Sequence, residues 1–202
     1  MSNTILPVID IDFDEEQHAY SLKGMRLQSV TQIMRPLSLM AYEGVSFSAL
    51  SDAADRGTRA HAQVEAIVKY GIEEFDDDTE GYIRAFQAFQ EALSPVWLAS
   101  EYRCFHKNMM YAGTLDLIGF ITPNDGNGVD VVDLKCTAVF HRTLLECQLS
   151  AYAEALKSHG VKVRERYGLQ LMKDGKYRFE KLNDGYKTFI HALALVNAMA
   201  ND

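Results

Sequence analysis

The sequence predicts a mixed α/β fold, with a central mixed β-sheet flanked by helices. Apolar residues recur with the helical period in several long segments and alternate in several shorter ones, which indicates helices and strands in one chain. No internal repeat and no low-complexity linker interrupts this order, and 202 residues suit one domain. We therefore expect a single domain over residues 1–202, with residues 1–47 as an N-terminal arm or extension.

The N-terminal segment predicts a small hairpin followed by a short helix. Residues 9–29 mix short alternating stretches with a turn at Gly24, a pattern typical of a β-hairpin or arm. Ser29 is a suitable N-cap for a helix over residues 29–34, and Pro36 should end that helix.

Two longer helices are expected next. Over residues 48–70 the apolar positions form one stripe, and Gly71 follows as a terminator. The acidic run at residues 73–81 indicates a surface loop rather than a metal site, since like charges in series prefer solvent. A second helix should cover residues 79–92, before Pro95.

The second half of the chain predicts a β-meander and further α and β elements. The short PNDGNG segment at residues 123–128 should join two strands, which would then pair antiparallel. In chain order we expect strands over 97–106, 111–121 and 129–136, a helix over 143–158, strands over 163–172 and 177–182, and a helix over 184–199.

Composition favours an ordinary globular protein. The N-terminus has no basic segment ahead of an apolar run, and no stretch approaches the roughly 18 apolar residues typical of a membrane span, so we expect a cytoplasmic protein. The three cysteines lack paired spacing, which indicates reduced, mostly buried thiols rather than disulfides or a zinc ribbon. They are Cys104, Cys136 and Cys147.

The charge distribution leaves a nucleic-acid partner open. A net charge of −8 argues against it, because phosphate backbones are usually met by basic surfaces. Residues 157–187, however, contain nine Lys or Arg against four acids. This basic stretch is either a solvated face or a binding surface, and part of the acidic excess elsewhere could be metal-binding carboxylates.

The stretch VVDLK carries the first chemical signal. Side chains alternate along a strand, so Asp133 and Lys135 should project from one face of the sheet and place a carboxylate beside an ammonium. The signal is weak by itself, since Asp174 and Lys176 form a second D-x-K triplet in a turn.

Asp116 strengthens that signal. It lies in an apolar strand, within AGTLDLIG, where a charged side chain is costly unless it is paired or binds a metal. Asp116 and Asp133 on neighbouring strands could converge on Mg²⁺, which prefers oxygen ligands. The alternative is a structural ion pair between Asp116 and either Lys135 or Arg103.

Three other side-chain features could contribute to the same site. His61 falls on the apolar face of its helix, where a histidine is more often a core residue than a ligand. Gln148 and Tyr152 lie four residues apart on one helix face and could reach the site or a bound phosphate. Glu101 remains open between a supporting and a structural role.

Together these segments resemble the RecB-like and phage exonuclease branch of the PD-(D/E)XK nuclease superfamily, which has a restriction-endonuclease-like fold. The segments that carry the resemblance, in chain order, are HAYSLKGMRLQSVTQIM, RGTRAH ending at His61, Glu101, AGTLD ending at Asp116, VVDLK, and QLSAY with Gln148 and Tyr152. By this similarity His61, Asp116, Asp133 and the backbone carbonyl of Leu134 would bind the metal. Lys135 would position or activate the attacking water, and Gln148 and Tyr152 would orient the lysine and contact DNA.

The resemblance implies a DNA exonuclease dependent on Mg²⁺ or Mn²⁺, acting in phage-type recombination or DNA end processing. A structure- or sequence-specific endonuclease and a non-catalytic nucleic-acid-binding regulatory module are the alternatives. Some relatives hold an iron–sulfur cluster through four cysteines; this chain departs from that pattern, and no cluster is expected. The resemblance also implies a recombination or single-strand annealing protein as a partner and is compatible with an oligomer, and it implies no membrane.

Overall fold

The fold is a mixed α/β arrangement built on one eight-stranded sheet. The structure, a computed structural model, describes residues 6–44, 46–122 and 128–200. Within them the strands are β1 Asp12–Asp14, β2 Ala19–Leu22, β3 Met25–Ser29, β4 Val96–Phe105, β5 Tyr111–Phe120, β6 Val129–Lys135, β7 Val163–Leu171 and β8 Tyr177–Lys181. The helices are α1 Val30–Ile33, α2 Arg35–Ala41, α3 Phe47–Tyr70, α4 Glu80–Leu93, α5 Arg142–Ser158 and α6 Tyr186–Met199. The predicted class, a central mixed sheet flanked by helices, is confirmed.

Strand β5 organises the sheet. Strand β4 pairs antiparallel along almost the whole of one edge. The other edge is shared, because residues 111–112 pair parallel with β3 and residues 117–119 pair antiparallel with β6. The antiparallel pairing predicted for β5 and β6 is confirmed, although most of the expected turn, residues 123–127, lies outside the described residues. Strand β7 pairs parallel with β6 after the α5 crossover, and β8 extends the sheet.

The first short helix is confirmed over its predicted residues, but the role predicted for Pro36 as its terminator is wrong. Ser29 caps α1 in a capping box with Gln32, as each side chain bonds the other's backbone N–H. Pro36 does not stop the helical path, however, because it lies in the first turn of α2. A proline is tolerated there, since its missing N–H would have no helical acceptor at that position.

Helices cover both faces of the sheet and create two apolar cores. One core joins the sheet to α1, α5 and α6, with Val131 and Phe189 fully buried. The other joins it to α3 and α4, with Val132 and Phe86 fully buried. Because Val131 and Val132 are neighbours in β6, their opposite placement follows directly from strand alternation. All three cysteines are free and buried, as predicted.

The N-terminal segment joins the main sheet through β3. Strands β1 and β2 form a hairpin, and the turn predicted at Gly24 joins β2 to β3, with positive φ at Lys23 and Gly24. The Tyr20 hydroxyl forms a hydrogen bond of 2.8 Å with Thr114 Oγ1, which fixes the hairpin against β5. Val30, from the segment expected to form an arm, is fully buried in the core with α5.

Among residues 6–44, 46–122 and 128–200, no helix combines the length and the hydrophobicity that crossing a membrane would require.

Candidate metal centre and groove

The centre of the candidate site lies where β5 and β6 separate. Leu117 pairs with Val132, so continued pairing would set Asp116 opposite Asp133, but the ladder ends there. The Asp116 carboxylate instead accepts a hydrogen bond of 2.6 Å from the backbone N–H of Leu134. A side chain therefore replaces a backbone acceptor at the point where the strands diverge.

At the same point, the side chains of β5 no longer alternate regularly between the two faces of the sheet. Leu115 packs in the core with α5, whereas Leu117 packs in the core with α4, although residues two apart in a strand normally project to the same face. Opposite this break, Glu101 of β4 has a φ of +48°. This left-handed conformation is uncommon outside glycine and carries backbone strain. The irregularities in both strands coincide with the candidate site.

His61, Glu101 and Asp116 converge into one group, with a ligand atom from each lying within 4.8 Å of the others. His61 Nδ1 lies 3.4 Å from Asp116 Oδ1 and 3.9 Å from Glu101 Oε1. His61 is carried by α3, and its placement towards the two strands follows from the position of that helix against β4. Two carboxylates and an imidazole make a donor set suited to a divalent cation such as Mn²⁺ or Mg²⁺.

Asp133 and Lys135 form a second charged pair beside this group. Asp133 is only 2% exposed, and its Oδ2 contacts Lys135 Nζ. Asp133 is not part of the three-residue group above. The Leu134 side chain packs in the core with α3 and α4, and its backbone N–H bonds to Asp116. Glu101, which the sequence left open between a supporting and a structural role, lies beside Asp116 in that group. The role of Asp133 as a metal ligand stays a prediction.

The charges of the site are strongly interdependent. Burial by itself would lower the pKa of His61, but the adjacent Asp116 carboxylate outweighs it, and the pKa is raised. Burial would raise the pKa of Asp116, yet His61, Lys135 and the Leu134 N–H hold it below its usual value. Burial and the charge of Asp116 raise the pKa of Glu101 to about 7. In the absence of metal, the group therefore retains protons that a cation would displace.

Lys135 is held in its charged form. Burial opposes its charge, but the carboxylates of Asp133 and Asp116 prevail and raise its pKa. Burial raises the pKa of Asp133 to about 6 despite the neighbouring Lys135. Lys135 is thus an ammonium anchored by a buried carboxylate in the metal-free protein.

Helix α5 brings Gln148 and Tyr152 to the same region. Gln148 Nε2 lies 3.5 Å from the Tyr152 hydroxyl. Burial and the charge of Asp133 raise the pKa of Tyr152, so this hydroxyl keeps its proton. A Cβ placed on Gly113 would come within 2.5 Å of Tyr152 Cε1, which explains the glycine in AGTLD.

One groove of about 1240 Å³ connects these residues. His61, Glu101, Asp116, Lys135, Gln148 and Tyr152 all line it. The hairpin, β4 and α3 provide its remaining walls, including Phe13, Glu15, His18, Lys69 and Arg103. Sequence reasoning named the residues of the centre, with the role of Glu101 left open, but it assigned these wall residues no part in a binding groove, because no local pattern in the chain gives such a signal.

The basic stretch at residues 157–187 lies elsewhere, on β7, β8 and their flanks, and none of its residues lines the groove. Five of its nine cations form ion pairs with acids. They are Lys157, Arg164, Lys176, Arg178 and Lys181. This favours the interpretation of the stretch as a structural and solvated face. The alternative pairing of Asp116 with Arg103 is not observed, since Arg103 contacts Glu15.

No protein-family model matches this chain, and no curated protein matches it. Among solved structures, one described as SSO0001 has 13% identity and a TM-score of 0.40, covering 90% of this chain and 80% of that chain. LHK-Exo in complex with dAMP has 10% identity and a TM-score of 0.37, covering 86% of this chain and 87% of its own. The alkaline exonuclease LHK-Exo from Laribacter hongkongensis has 9% identity and a TM-score of 0.35, covering 86% and 91%. At such TM-scores these likenesses establish neither a shared family nor a shared activity.

Proposed function

We propose that this chain is a metal-dependent nuclease that hydrolyses phosphodiester bonds of DNA, acting as an exonuclease. One observation carries the proposal: His61, Glu101 and Asp116 meet within 4.8 Å at the separation of β5 and β6, beside a lysine that lines the same groove. The sequence resemblance to PD-(D/E)XK nucleases supports the choice of substrate, and it implies a setting in phage-type recombination or end processing.

The metal requirement follows from the donor set. Phosphodiester hydrolysis needs a nucleophilic water and stabilisation of charge on the phosphoryl oxygens. A divalent cation held by Asp116, Glu101 and His61 would make a bound water more nucleophilic and would stabilise the charge on the phosphoryl oxygens. Asp133 and the carbonyl of Leu134, on the adjoining strand, are further candidate ligands that we propose from the resemblance.

Lys135 acts in this proposal as a fixed positive charge. Its pKa is raised, so it holds a proton rather than accepting one in the metal-free protein. Asp133 anchors the ammonium, and the 28% exposure of the Lys135 side chain leaves it open to the groove. It can therefore orient water and neutralise a phosphoryl oxygen.

Gln148 and Tyr152 have supporting roles. Both line the groove. The Tyr152 O–H and the Gln148 N–H can donate to phosphate oxygens, and the oxygen atoms of both side chains can accept from the Lys135 ammonium. The rigid contact between Tyr152 and Gly113 fixes the direction in which the hydroxyl points.

The endonuclease remains the second candidate on the same groove. The non-catalytic module is disfavoured because a buried cluster of charges is costly to fold, and a chain that needs only a binding surface gains nothing from it.

The test is digestion of end-labelled linear duplex DNA and of closed circular DNA, each with Mg²⁺, Mn²⁺ or chelator. We expect metal-dependent loss of linear DNA while circles persist; nicked circles would indicate the endonuclease. The variant Lys135→Ala should abolish cleavage yet retain Mn²⁺ binding in calorimetry, because the lysine is not a ligand.

Lys176→Ala is the matched control. It removes the lysine of the second D-x-K triplet, which is 77% exposed and lies in a turn, so cleavage should persist at the wild-type rate. DNA binding without cleavage by the wild-type protein under every metal condition would contradict the proposal and favour the regulatory module.

A further inference from the structure

The groove contains a second charged feature beyond the metal centre. We define it as the Arg103 cluster, and its members are Phe13, Glu15, His18, Tyr20 and Arg103. Arg103 follows Glu101 by two residues in β4, which separates them by about 6.6 Å along the strand. The cluster therefore borders the metal centre within one continuous groove.

The guanidinium of Arg103 is held in a defined position. Its Cζ lies 4.7 Å from the centre of the Phe13 ring, within the range of a cation–π contact. The Phe13 ring is in turn packed against Tyr20, with ring centres 4.7 Å apart, and against His18 at 5.2 Å. Since Tyr20 is 2% exposed and bonded to Thr114, this support is rigid.

The hairpin presents a ring and not its carboxylates to this part of the groove. Strand β1 reads Asp12-Phe13-Asp14, and alternation places the two aspartates on the face opposite Phe13. Both aspartates are exposed and neither lines the groove. The acidic character of the hairpin is therefore directed away from the substrate side, with the exception of Glu15.

Glu15 contacts Arg103 weakly. Its Oε1 lies 3.6 Å from Arg103 Nη2, and the two side chains are 83% and 44% exposed. Exposed pairs of this kind contribute little stability and exchange readily with other anions. A phosphate diester offers a guanidinium two oxygens at once, a stronger and more directional partner than this single contact.

We propose that the Arg103 cluster is a binding subsite for the nucleic-acid backbone, in which Arg103 grips a phosphate next to the one that reacts. Phe13 orients the guanidinium, and Glu15 occupies it when no substrate is bound. This inference rests on the proposed nuclease function, and it adds the residue that holds the strand in register with the metal centre.

Binding without cleavage tests the subsite directly. The probe is a fluorescein-labelled single-stranded oligonucleotide, its Kd measured by anisotropy in Ca²⁺ at several salt concentrations. Arg103→Ala should weaken binding about tenfold and reduce the slope of log Kd against log salt by about one, the effect of losing one phosphate contact. Glu15→Gln should tighten binding about two- to threefold, since it removes a competitor worth a weak surface pair.

Arg84→Ala and Glu80→Gln are the matched controls. This pair is also exposed, but it lies on α4 outside the groove, so its loss should leave Kd and the salt slope unchanged. Equal binding by Arg103→Ala and Arg84→Ala, or no tightening in Glu15→Gln, would overturn the proposal. Glu15→Gln is informative even if Arg103→Ala folds poorly, because residue 15 is almost fully solvated.

Kinetics in Mn²⁺ separates this inference from the proposed function. Arg103→Ala should raise KM for an oligonucleotide about tenfold with kcat unchanged, since a contact away from the reacting phosphate contributes uniform binding. The same variant should hydrolyse bis(p-nitrophenyl) phosphate as the wild type does, because that diester has no second phosphate. Failure of the wild type to hydrolyse either substrate would count against the nuclease, whereas an unchanged oligonucleotide KM in Arg103→Ala would count against the subsite alone.

Discussion

Gly113→Ala should disturb the candidate site through its contact with Tyr152, without removing any polar side chain from the groove. The new Cβ would lie 2.5 Å from Cε1 and 3.1 Å from the hydroxyl of Tyr152. The Tyr152 ring is 3% exposed and packed in the core with α5, so it cannot swing into solvent. Either β5 or α5 must shift, which moves Tyr152 and Gln148 of α5 away from Asp116 of β5.

The cost follows from the contact. Overpacking of this kind typically destabilises a protein by about 1–3 kcal/mol, which lowers the Tm of a domain of this size by about 2–12 °C. Gly57→Ala is a matched control that should raise the stability instead of lowering it. A Cβ on Gly57 meets no described atom within 4 Å, and alanine stabilises a helix interior by about 1 kcal/mol relative to glycine, or about 2–4 °C in Tm.

The assay is thermal unfolding of both variants with and without Mn²⁺, followed by DNA cleavage at 25 °C, where both remain folded. Gly113→Ala should unfold earlier than the wild type and cleave more slowly, because Tyr152 is displaced. A Gly113→Ala protein as stable as Gly57→Ala would show that β5 and α5 are not in close contact at this position, and the role assigned to Tyr152 would lose its basis.

Two further predictions concern pH and the buried ion pairs. Glu101 has a pKa of about 7 in the folded, metal-free protein, above its value in the unfolded chain. Between about pH 4 and 7 the folded protein therefore binds more protons than the unfolded chain, and Glu101 makes the metal-free fold less stable as the pH rises through this window. Mn²⁺ must displace that proton, so its stabilising shift in Tm should grow over the same window; a Glu101→Gln variant with the wild-type pH profile would contradict this. Replacement of Asp130, which is fully buried against Arg164, by Ala should lower the free energy of unfolding by about 3–5 kcal/mol, because it removes the carboxylate from a buried ion pair. Calorimetry should still give wild-type Mn²⁺ affinity in that variant, and a lost metal site would refute the purely structural role of the pair.

Hydrophobic periodicity predicted most elements because their packing follows it. Helix α3 begins at Phe47 and ends at Tyr70, and it was predicted over residues 48–70. The agreement is close because one apolar stripe and a terminal glycine define this helix locally. The prediction that Pro36 ends a helix was wrong, because proline occurs both after the end of a helix and in its first turn. Only the tertiary structure determines which of the two applies. The parallel pairing of β3 with β5 joins residues more than 80 positions apart, and no local pattern encodes such a pairing.

Some features of the candidate site could also be predicted from the sequence, and others could not. Asp133 and Lys135 lie together because side chains alternate in any strand, so their proximity could be predicted from spacing alone. The contribution of Glu101 could not, because it depends on a left-handed backbone and on the change of facing between Leu115 and Leu117. Any prediction from sequence assumes regular strand geometry, and the strands depart from that geometry at this site. The pairing of Arg103 with the hairpin is similarly a product of long-range packing.

The break between β5 and β6 explains why a charged residue can occupy an apolar strand. If the ladder continued past Leu117, Asp116 would be an ordinary strand residue, and the Leu134 N–H would bond to a backbone carbonyl. Because the strands separate, that N–H needs another acceptor, and the Asp116 carboxylate provides one while its second oxygen turns towards His61. One side chain thus compensates for the lost backbone bond and supplies a candidate metal donor. Replacement by a neutral apolar residue would leave a buried N–H unsatisfied as well as removing the donor, so the same carboxylate links the integrity of the sheet to the proposed chemistry.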